Sequence, residues 1–183
     1  MGVPDARAPY ILDEVQAVAR TFPNARVFLG EEATADRLSA FGPESPFVHL
    51  ATHGFFRRDN PMFSSIRLGS GPLCAVDLYQ LRLSAELVTL SGCSTGLSAV
   101  VAGDELLGMV RGLLYAGAQA VLLTLWDAND MSTADFMESF YRHLLSSSNK
   151  ARAAQLAMRD LRGRCPHPFY WAPFILFGQV NQL

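Results

Sequence analysis

The sequence predicts a three-layer α/β sandwich, in which a mostly parallel central sheet carries helices on both faces. Three observations lead to this prediction. Apolar residues at helical spacing alternate along the chain with short strand-like segments, which is typical of parallel strands joined by helices. The strands over residues 86–90 and 118–126 are apolar along almost their whole length, as strands buried on both faces are. Small, turn-forming residues end two of the strands abruptly.

Length and composition predict one domain and exclude several classes of function. A chain of 183 residues, half of them hydrophobic, can bury one sizeable core. Fifteen Lys and Arg against seventeen Asp and Glu give a net charge of −2, which argues against direct nucleic-acid binding. No signal peptide and no long apolar run is found, so we expect a soluble, cytoplasmic protein with no membrane partner.

The three cysteines favour a reducing compartment. Cys74, Cys93 and Cys165 are odd in number and widely spaced, which is not typical of a disulfide framework. No two of them lie at the spacing of zinc ligands. We therefore expect no metal and no other cofactor.

Periodicity and turn residues divide the chain into helices and strands. Residue 130 is predicted to cap one of these helices, and residues 55–73 are predicted to form a long surface loop with at most a small hairpin. The predicted helices cover residues 11–22, 33–40, 75–83, 103–115, 131–145 and 151–162. The predicted strands cover residues 25–29, 47–52, 86–90, 118–126 and 173–177.

Two strand ends carry residues with nucleophilic chemistry. His53 and Gly54 follow one predicted strand, and Gly92 and Cys93 follow the next core strand. Residues at the carboxyl ends of parallel strands converge at one edge of the sheet. A free thiol has a pKa of about 8.5, so a cysteine nucleophile needs a neighbouring base such as an imidazole. The backbone N–H groups of Gly54 and Cys93 are candidates for an oxyanion hole.

A structural interpretation of these residues stands beside the catalytic one. A single cysteine at a strand end is often a small buried residue, and a single histidine is often a satisfied polar group. Two such residues at two strand ends, each beside a glycine, are harder to explain as structural residues, and both interpretations stay open on composition alone.

Four segments of the chain resemble the CHAT family of caspase-like cysteine proteases, relatives of separase in the caspase and gingipain clan. They are "HLATHGFF", "LVTLSGCSTG", "GDELLGMVRGLLYAGAQAVLLTLWDAND" and "HPFYWAPFILFG", and the match runs over residues 4–178. The resemblance implies a caspase-like fold and a cysteine endopeptidase that works through an acyl-enzyme. It assigns His53 as catalytic histidine, Cys93 as nucleophile, and Gly54 with Cys93 as the oxyanion hole.

The resemblance also implies a pocket for the residue that precedes the cut. The corresponding loop here is "WDAND", in which Trp126 would form a wall and Asp127 or Asp130 would favour a basic side chain. The alternative is that Asp130 caps its helix and Asp127 is solvated. Both interpretations stay open at this point.

One departure from the family concerns the start of the chain. Family members begin with a hydrophobic strand that lies centrally in the sheet, whereas this chain has "MGVPDARAP" there. We expect the C-terminal part of a larger protein or a shortened form, with limited stability or association through the unfilled sheet position. The expected partners are a protein or peptide substrate and a regulatory protein or helical-repeat domain.

Two other functions compete with the peptidase. One is an inactive caspase-like scaffold or interaction module. The other is an α/β-hydrolase in which Ser94 of "GCSTG" is the nucleophile, with Asp127 or Asp130 as acid and His143 or His167 as base. A nucleotide-binding turn has weak support, because the Walker lysine and the G-x-G-x-x-G spacing are both missing.

Overall fold

The computed structural model describes residues 1–57, 59–92, 104–126 and 129–181. Short 3₁₀ turns lie at Gly30–Glu32, Gly42–Glu44 and Pro61–Phe63. The helices in these ranges are α1 (Ile11–Thr21), α2 (Ala35–Phe41), α3 (Ala75–Leu78), α4 (Asp104–Tyr115), α5 (Asp130–Ser147), α6 (Lys150–Arg164) and α7 (Pro168–Trp171). The strands are β1 (Phe47–Ala51), β2 (Gly54–Phe55), β3 (Ser65–Leu68), β4 (Gly71–Cys74), β5 (Leu87–Ser91), β6 (Ala120–Thr124) and β7 (Phe174–Gly178).

The main sheet has the strand order β1-β5-β6-β7. The first three strands are parallel, and β7 pairs with β6 in the antiparallel direction. Strand β5 lies inside the sheet and is buried at all five of its residues, which explains its continuous apolar sequence. The predicted mixed α/β architecture with a mostly parallel sheet is confirmed.

Helices cover both faces of this sheet. On one face, Val88, Leu90 and Leu123 belong to a core with α2, α3 and α4. On the other face, Leu87 and Leu122 pack with α1, α5 and α6. Successive residues of a strand point to opposite faces, so each central strand supplies both cores and forms the middle of three layers.

The first residues of the chain lie beside β1. Gly2 forms parallel bridges to Ala51 and to Leu29, and Val3 N donates to Ala51 O at 3.0 Å. The predicted strand over residues 25–29 is thus reduced to a single bridge. Next to it, a cavity of about 530 Å³ opens between α1, α2 and β1. Whether the domain associates through this position stays a prediction.

The largest difference from the predicted elements lies between β1 and α3. Instead of a long surface loop, β2, β3 and β4 form a three-stranded antiparallel sheet. Ile66, Leu68 and Leu73 of this sheet are buried in the core shared with α4. Glycine, proline and serine between these residues hide the period-two pattern, so the sequence signal of the strands is weak.

No helix within the described ranges is both long enough and apolar enough to cross a membrane.

Gly117 permits the sharp turn from α4 into β6, and its replacement tests this packing. Its φ is +112°, and an added Cβ would lie 2.0 Å from Leu83 O. We expect Gly117→Ala to lower the free energy of unfolding by about 2 kcal/mol or more, as strain at such a conformation does. Urea unfolding measures this change.

The matched control is Gly163→Ala in α6, where an added Cβ has no heavy atom within 4 Å. There the substitution should be neutral or stabilise by up to about 1 kcal/mol, because alanine is the better helix former. Equal effects of the two substitutions would contradict the account of Gly117.

Candidate active site

The pairing of β1 with β5 brings the two predicted strand ends to one edge of the sheet. Ala51 lies opposite Ser91, and Thr52 N extends the pairing by donating to Ser91 O at 2.8 Å. In the sequence, His53 is two residues beyond Ala51, and Cys93 is two residues beyond Ser91. Cys93 itself, with its thiol and its N–H, lies outside the described residues.

Gly92, directly before Cys93, is fixed by close backbone contact. A Cβ at this position would lie 1.5 Å from Thr52 O, so any residue with a side chain would push the two strand ends apart. Thr124 of β6 adds a hydrogen bond from its Oγ1 to Gly92 O at 3.3 Å. The approach of three neighbouring strands therefore sets where the chain leaves β5.

His53 is buried at this edge, with 7% of its surface exposed. Its Nε2 lies 3.1 Å from Oδ1 of Asp5. Its Nδ1 is buried and has no hydrogen-bond partner among the described residues. When Nε2 carries the proton and donates to Asp5, Nδ1 has a free lone pair that can accept a proton from a neighbouring thiol.

Asp5 is held by several donors besides His53. Its Oδ2 accepts a hydrogen bond from Nη1 of Arg67 at 2.7 Å, and its Oδ1 accepts from the N–H groups of Arg7 and Ala8 at 2.8 and 3.3 Å. Partial burial favours the neutral form of this carboxyl group. The hydrogen bonds from His53 and from the two backbone N–H groups, with the charge of His53, outweigh that cost and lower the pKa of Asp5 from 3.8 to about 2.

Sequence reasoning missed Asp5. It lies 48 residues before His53, in a segment without helical or strand periodicity. The available local signal is a turn: Asp5 accepts from the next backbone N–H groups, as aspartate often does at the start of a turn. Such a turn does not predict which side chains elsewhere in the chain also bind the carboxylate.

Gly54, the predicted oxyanion-hole residue, begins β2 and is buried. It lies opposite Ile66, and the neighbouring hydrogen bond runs from Arg67 N to His53 O at 2.9 Å. This bond shows that Gly54 and Ile66 are a non-hydrogen-bonded pair of the antiparallel ladder. The N–H of a residue in such a pair points away from the partner strand, so the Gly54 N–H is directed away from β3. The second predicted donor, the N–H of Cys93, lies outside the described residues.

Trp126 stands just beyond the end of β6. It is half-buried, and its Nε1 donates to Phe169 O of α7 at 3.1 Å. The hydrogen bond fixes the indole ring at the same sheet edge as His53, because β6 is parallel to β5 and β1. Asp127, the next predicted pocket residue, lies outside the described residues.

Asp130 is the first residue of α5, and the predicted capping role for it is wrong. The cap is Asn129, whose side chain accepts from Ser132 N at 3.2 Å. The Asp130 carboxylate instead accepts from Tyr10 N at 2.8 Å. Burial, reinforced by the charge of Glu14, raises the pKa of Asp130, although the Tyr10 N–H and His53 act in the opposite direction.

The two histidines of the α/β-hydrolase alternative have other contacts. His143 lies inside α5 with its Nε2 2.8 Å from Oδ2 of Asp160 on α6. His167 uses its Nδ1 to accept from Phe169 N and so caps α7. The proposed nucleophile of that alternative, Ser94, lies outside the described residues.

Comparison with known proteins identifies the family of the chain. The family model of the CHAT domain matches residues 2–179. The chain belongs to the CHAT family. The family membership predicted from the sequence is confirmed.

Curated relatives of this CHAT chain include tetratricopeptide repeat protein 28 from Mus musculus and from Homo sapiens. Identity is 37% and 34%, each over 113 residues and 61% of this chain. The chain spans about one-twentieth of the length of these relatives, 5% of the mouse protein and 4% of the human one.

Among solved structures, the CHAT chain is similar to "Arg specific cysteine proteinase gingipain R (RGPB)". The TM-score is 0.69 with 12% identity, and the match covers 95% of this chain and 42% of the other. At that identity the likeness establishes the fold. It confirms the predicted caspase-like fold.

The donors around Asp5 predict a pH dependence of folding stability. The pKa of Asp5 in the folded state is below its ordinary value, so its charge stabilises the fold above about pH 4 and this contribution is lost as the pH falls toward 2. We expect Asp5→Asn to be less stable than wild type at pH 6, with a difference that shrinks by pH 3. Urea unfolding at several pH values measures it. A difference that stays constant from pH 6 to pH 3 would contradict this role of the charge.

Proposed function

We propose that this CHAT domain is a cysteine endopeptidase in which Cys93 is the nucleophile and His53 is the general base. The observation that supports the proposal is the register of β1 against β5, in which Ala51 pairs directly with Ser91. His53 and Cys93 each follow two residues later in the sequence. Parallel neighbours are about 4.8 Å apart, and from this spacing we infer that the two side chains come within reach of one another. The Nδ1 of His53, which has no hydrogen-bond partner in the part of the chain that the structure describes, supports the same roles.

The proposed reaction is acyl transfer. His53 Nδ1 accepts the proton of the Cys93 thiol, and the thiolate attacks the carbonyl carbon of the scissile peptide bond. The N–H groups of Gly54 and Cys93 stabilise the negative oxygen of the tetrahedral intermediate. The C–N bond then breaks as the imidazolium gives its proton to the leaving amine. Water, deprotonated by His53, hydrolyses the thioester, and the thiol is restored.

We propose a preference for a basic residue before the cut. Trp126 is held at the sheet edge by Phe169 O, where it can cover the stem of a long side chain. Asp130 supplies a partly buried carboxylate that interacts electrostatically with His53, and Asp127 follows Trp126 directly. The similar structure is named as an Arg specific proteinase, in agreement with this preference.

We also propose that the domain acts on protein or peptide substrates in the cytoplasm, as the C-terminal part of a larger protein or with a helical-repeat partner. The names of the curated relatives support a helical-repeat partner, since both are tetratricopeptide repeat proteins. The two described cysteines, Cys74 and Cys165, are free thiols, which agrees with a reducing compartment.

Alkylation by iodoacetamide tests the activated thiol without a known substrate. Peptide mass spectrometry resolves the rates at Cys93, Cys74 and Cys165 between pH 5 and pH 9. We expect Cys93 to react at least about tenfold faster than the others at pH 6.5, because an imidazole partner increases its thiolate fraction. Burial, then the charge of Asp77, raise the pKa of Cys74, so that thiol is a slow internal standard.

His53→Ala should abolish the selectivity for Cys93, whereas the matched control His143→Ala should leave it unchanged because His143 pairs with Asp160 elsewhere. Equal, slow alkylation of all three cysteines in the wild type would favour the inactive scaffold over the peptidase.

A library of fluorogenic peptides tests the preference for a basic residue. We expect Asp130→Asn to lower kcat/KM for a substrate with Arg before the cut by about tenfold, the effect of losing one charge-assisted contact, and to leave an Ala substrate within about twofold. Asp135→Asn, at an α5 carboxylate paired with Arg164, is the control and should change neither value. An equal loss for Arg and Ala substrates would assign Asp130 a structural role only.

A further inference from the structure

We propose that Asp5 is a positioning residue for His53 and that Arg67 holds Asp5 in place, so that two side chains from separate parts of the chain orient the base. This inference rests on the proposed peptidase function and adds residues to it. The contacts are His53 Nε2 to Asp5 Oδ1 at 3.1 Å and Arg67 Nη1 to Asp5 Oδ2 at 2.7 Å.

The direction of the His53 hydrogen bond follows from the chemistry of the groups. A charged carboxylate only accepts, so the imidazole must donate from Nε2. The neutral ring then carries its lone pair on Nδ1, the nitrogen that has no partner among the described residues. When the ring gains a second proton during the reaction, the negative charge of Asp5 stabilises the imidazolium. A neutral acceptor of the same shape would do so far less.

The Asp5 carboxylate has little freedom to turn away. Its Oδ1 also accepts two backbone N–H groups of the turn that follows, and its Oδ2 is bound by Arg67. The segment before it is fixed as well, because Val3 N donates to Ala51 O at the end of β1. Asp5 is thus held on both sides: Val3, two residues earlier, is bonded to β1, and the turn that follows Asp5 is closed by its own carboxylate.

Arg67 connects the antiparallel sheet to this site through both its backbone and its side chain. Its N–H donates to His53 O at 2.9 Å, and its carbonyl accepts from Oγ1 of Thr52. The guanidinium then reaches Asp5 from β3. Arg67 therefore binds the backbone of His53 and also fixes the Asp5 carboxylate that faces the His53 ring.

Among the described residues, three charged side chains face either His53 or the Asp5 carboxylate that binds it. They are Asp5 from the N-terminal segment, Arg67 from β3, and Asp130 from α5, whose carboxylate interacts electrostatically with His53. Asp130 is bound to Tyr10 N, and no direct hydrogen bond joins it to the imidazole among the described contacts. Among the carboxylates that the structure describes, Asp5 is therefore the one that can set which nitrogen of His53 carries the proton.

The first experiment measures the tautomer of His53 by ¹⁵N NMR of the imidazole above pH 8, in the Cys93→Ala background. We expect the Nε2–H form in the protein with Asp5 and a mixture of both tautomers after Asp5→Ala. This readout does not depend on a reactive thiol, so it separates the inference from the peptidase proposal. An Nδ1–H tautomer with Asp5 present would overturn the inference.

The second experiment measures the pH profile of Cys93 alkylation in Asp5 and Arg67 variants. For Asp5→Asn we expect about a tenfold lower rate at pH 6.5, because less of the thiolate–imidazolium pair forms when the imidazolium loses its countercharge. The acid limb should lie about one pH unit lower, because without that negative charge the imidazolium gives up its proton more easily. Asp5→Glu should recover part of the rate, since it restores the charge at a longer reach. Arg67→Gln should lower the rate about threefold, and the surface control Arg152→Gln should not change it.

A merely structural role for Asp5 would lower the melting temperature of Asp5→Asn but leave the acid limb where it is, and that result would overturn the inference. If the wild-type thiol shows no activation while the tautomer changes as expected, the peptidase proposal fails and the positioning of His53 by Asp5 stands.

Discussion

The parallel pairing of β1 with β5 is the constraint on which the rest of the site depends. It aligns two segments that are forty residues apart, so that His53 and Gly92 follow directly paired strand ends at one edge of the sheet. The pairing is strong because β5 is buried at every residue and is covered by helices on both faces. A shift of one residue would turn the buried side chains of the strand to the opposite core, which fixes the register.

Close backbone contact then determines which residues can stand at the strand ends. Gly92 meets the carbonyl of Thr52 at a distance that leaves no space for a Cβ, and Thr124 binds its carbonyl from the other side. The exit from the central strand is therefore set by three strands together.

The antiparallel sheet of β2, β3 and β4 links the core to the proposed site. Its apolar side chains join the core beside α4, while Arg67 on its other side binds the backbone of His53 and the carboxylate of Asp5. Packing of this small sheet and orientation of the histidine are thus coupled through one strand. A partner that displaced the sheet would also disturb the charges around His53.

The sequence by itself determined the layer architecture, the order of the main helices and strands, and the two strand-end motifs, because these depend on periodicity and on turn residues that are local along the chain. It identified the family from the same motifs. It did not reveal β3 and β4, whose period-two pattern is interrupted by glycine and proline, or the capping of α5 by Asn129 in place of Asp130.

Only the tertiary structure decided that Asp5 faces His53, that Arg67 binds Asp5, and that Asp130 binds the start of α1. These contacts join residues that are 48, 62 and 120 positions apart, and no local pattern encodes them. They arise because the N-terminal segment lies along β1 and α5 packs against α1. Folding the three layers together creates this charge arrangement, and it exists only once the whole core has formed.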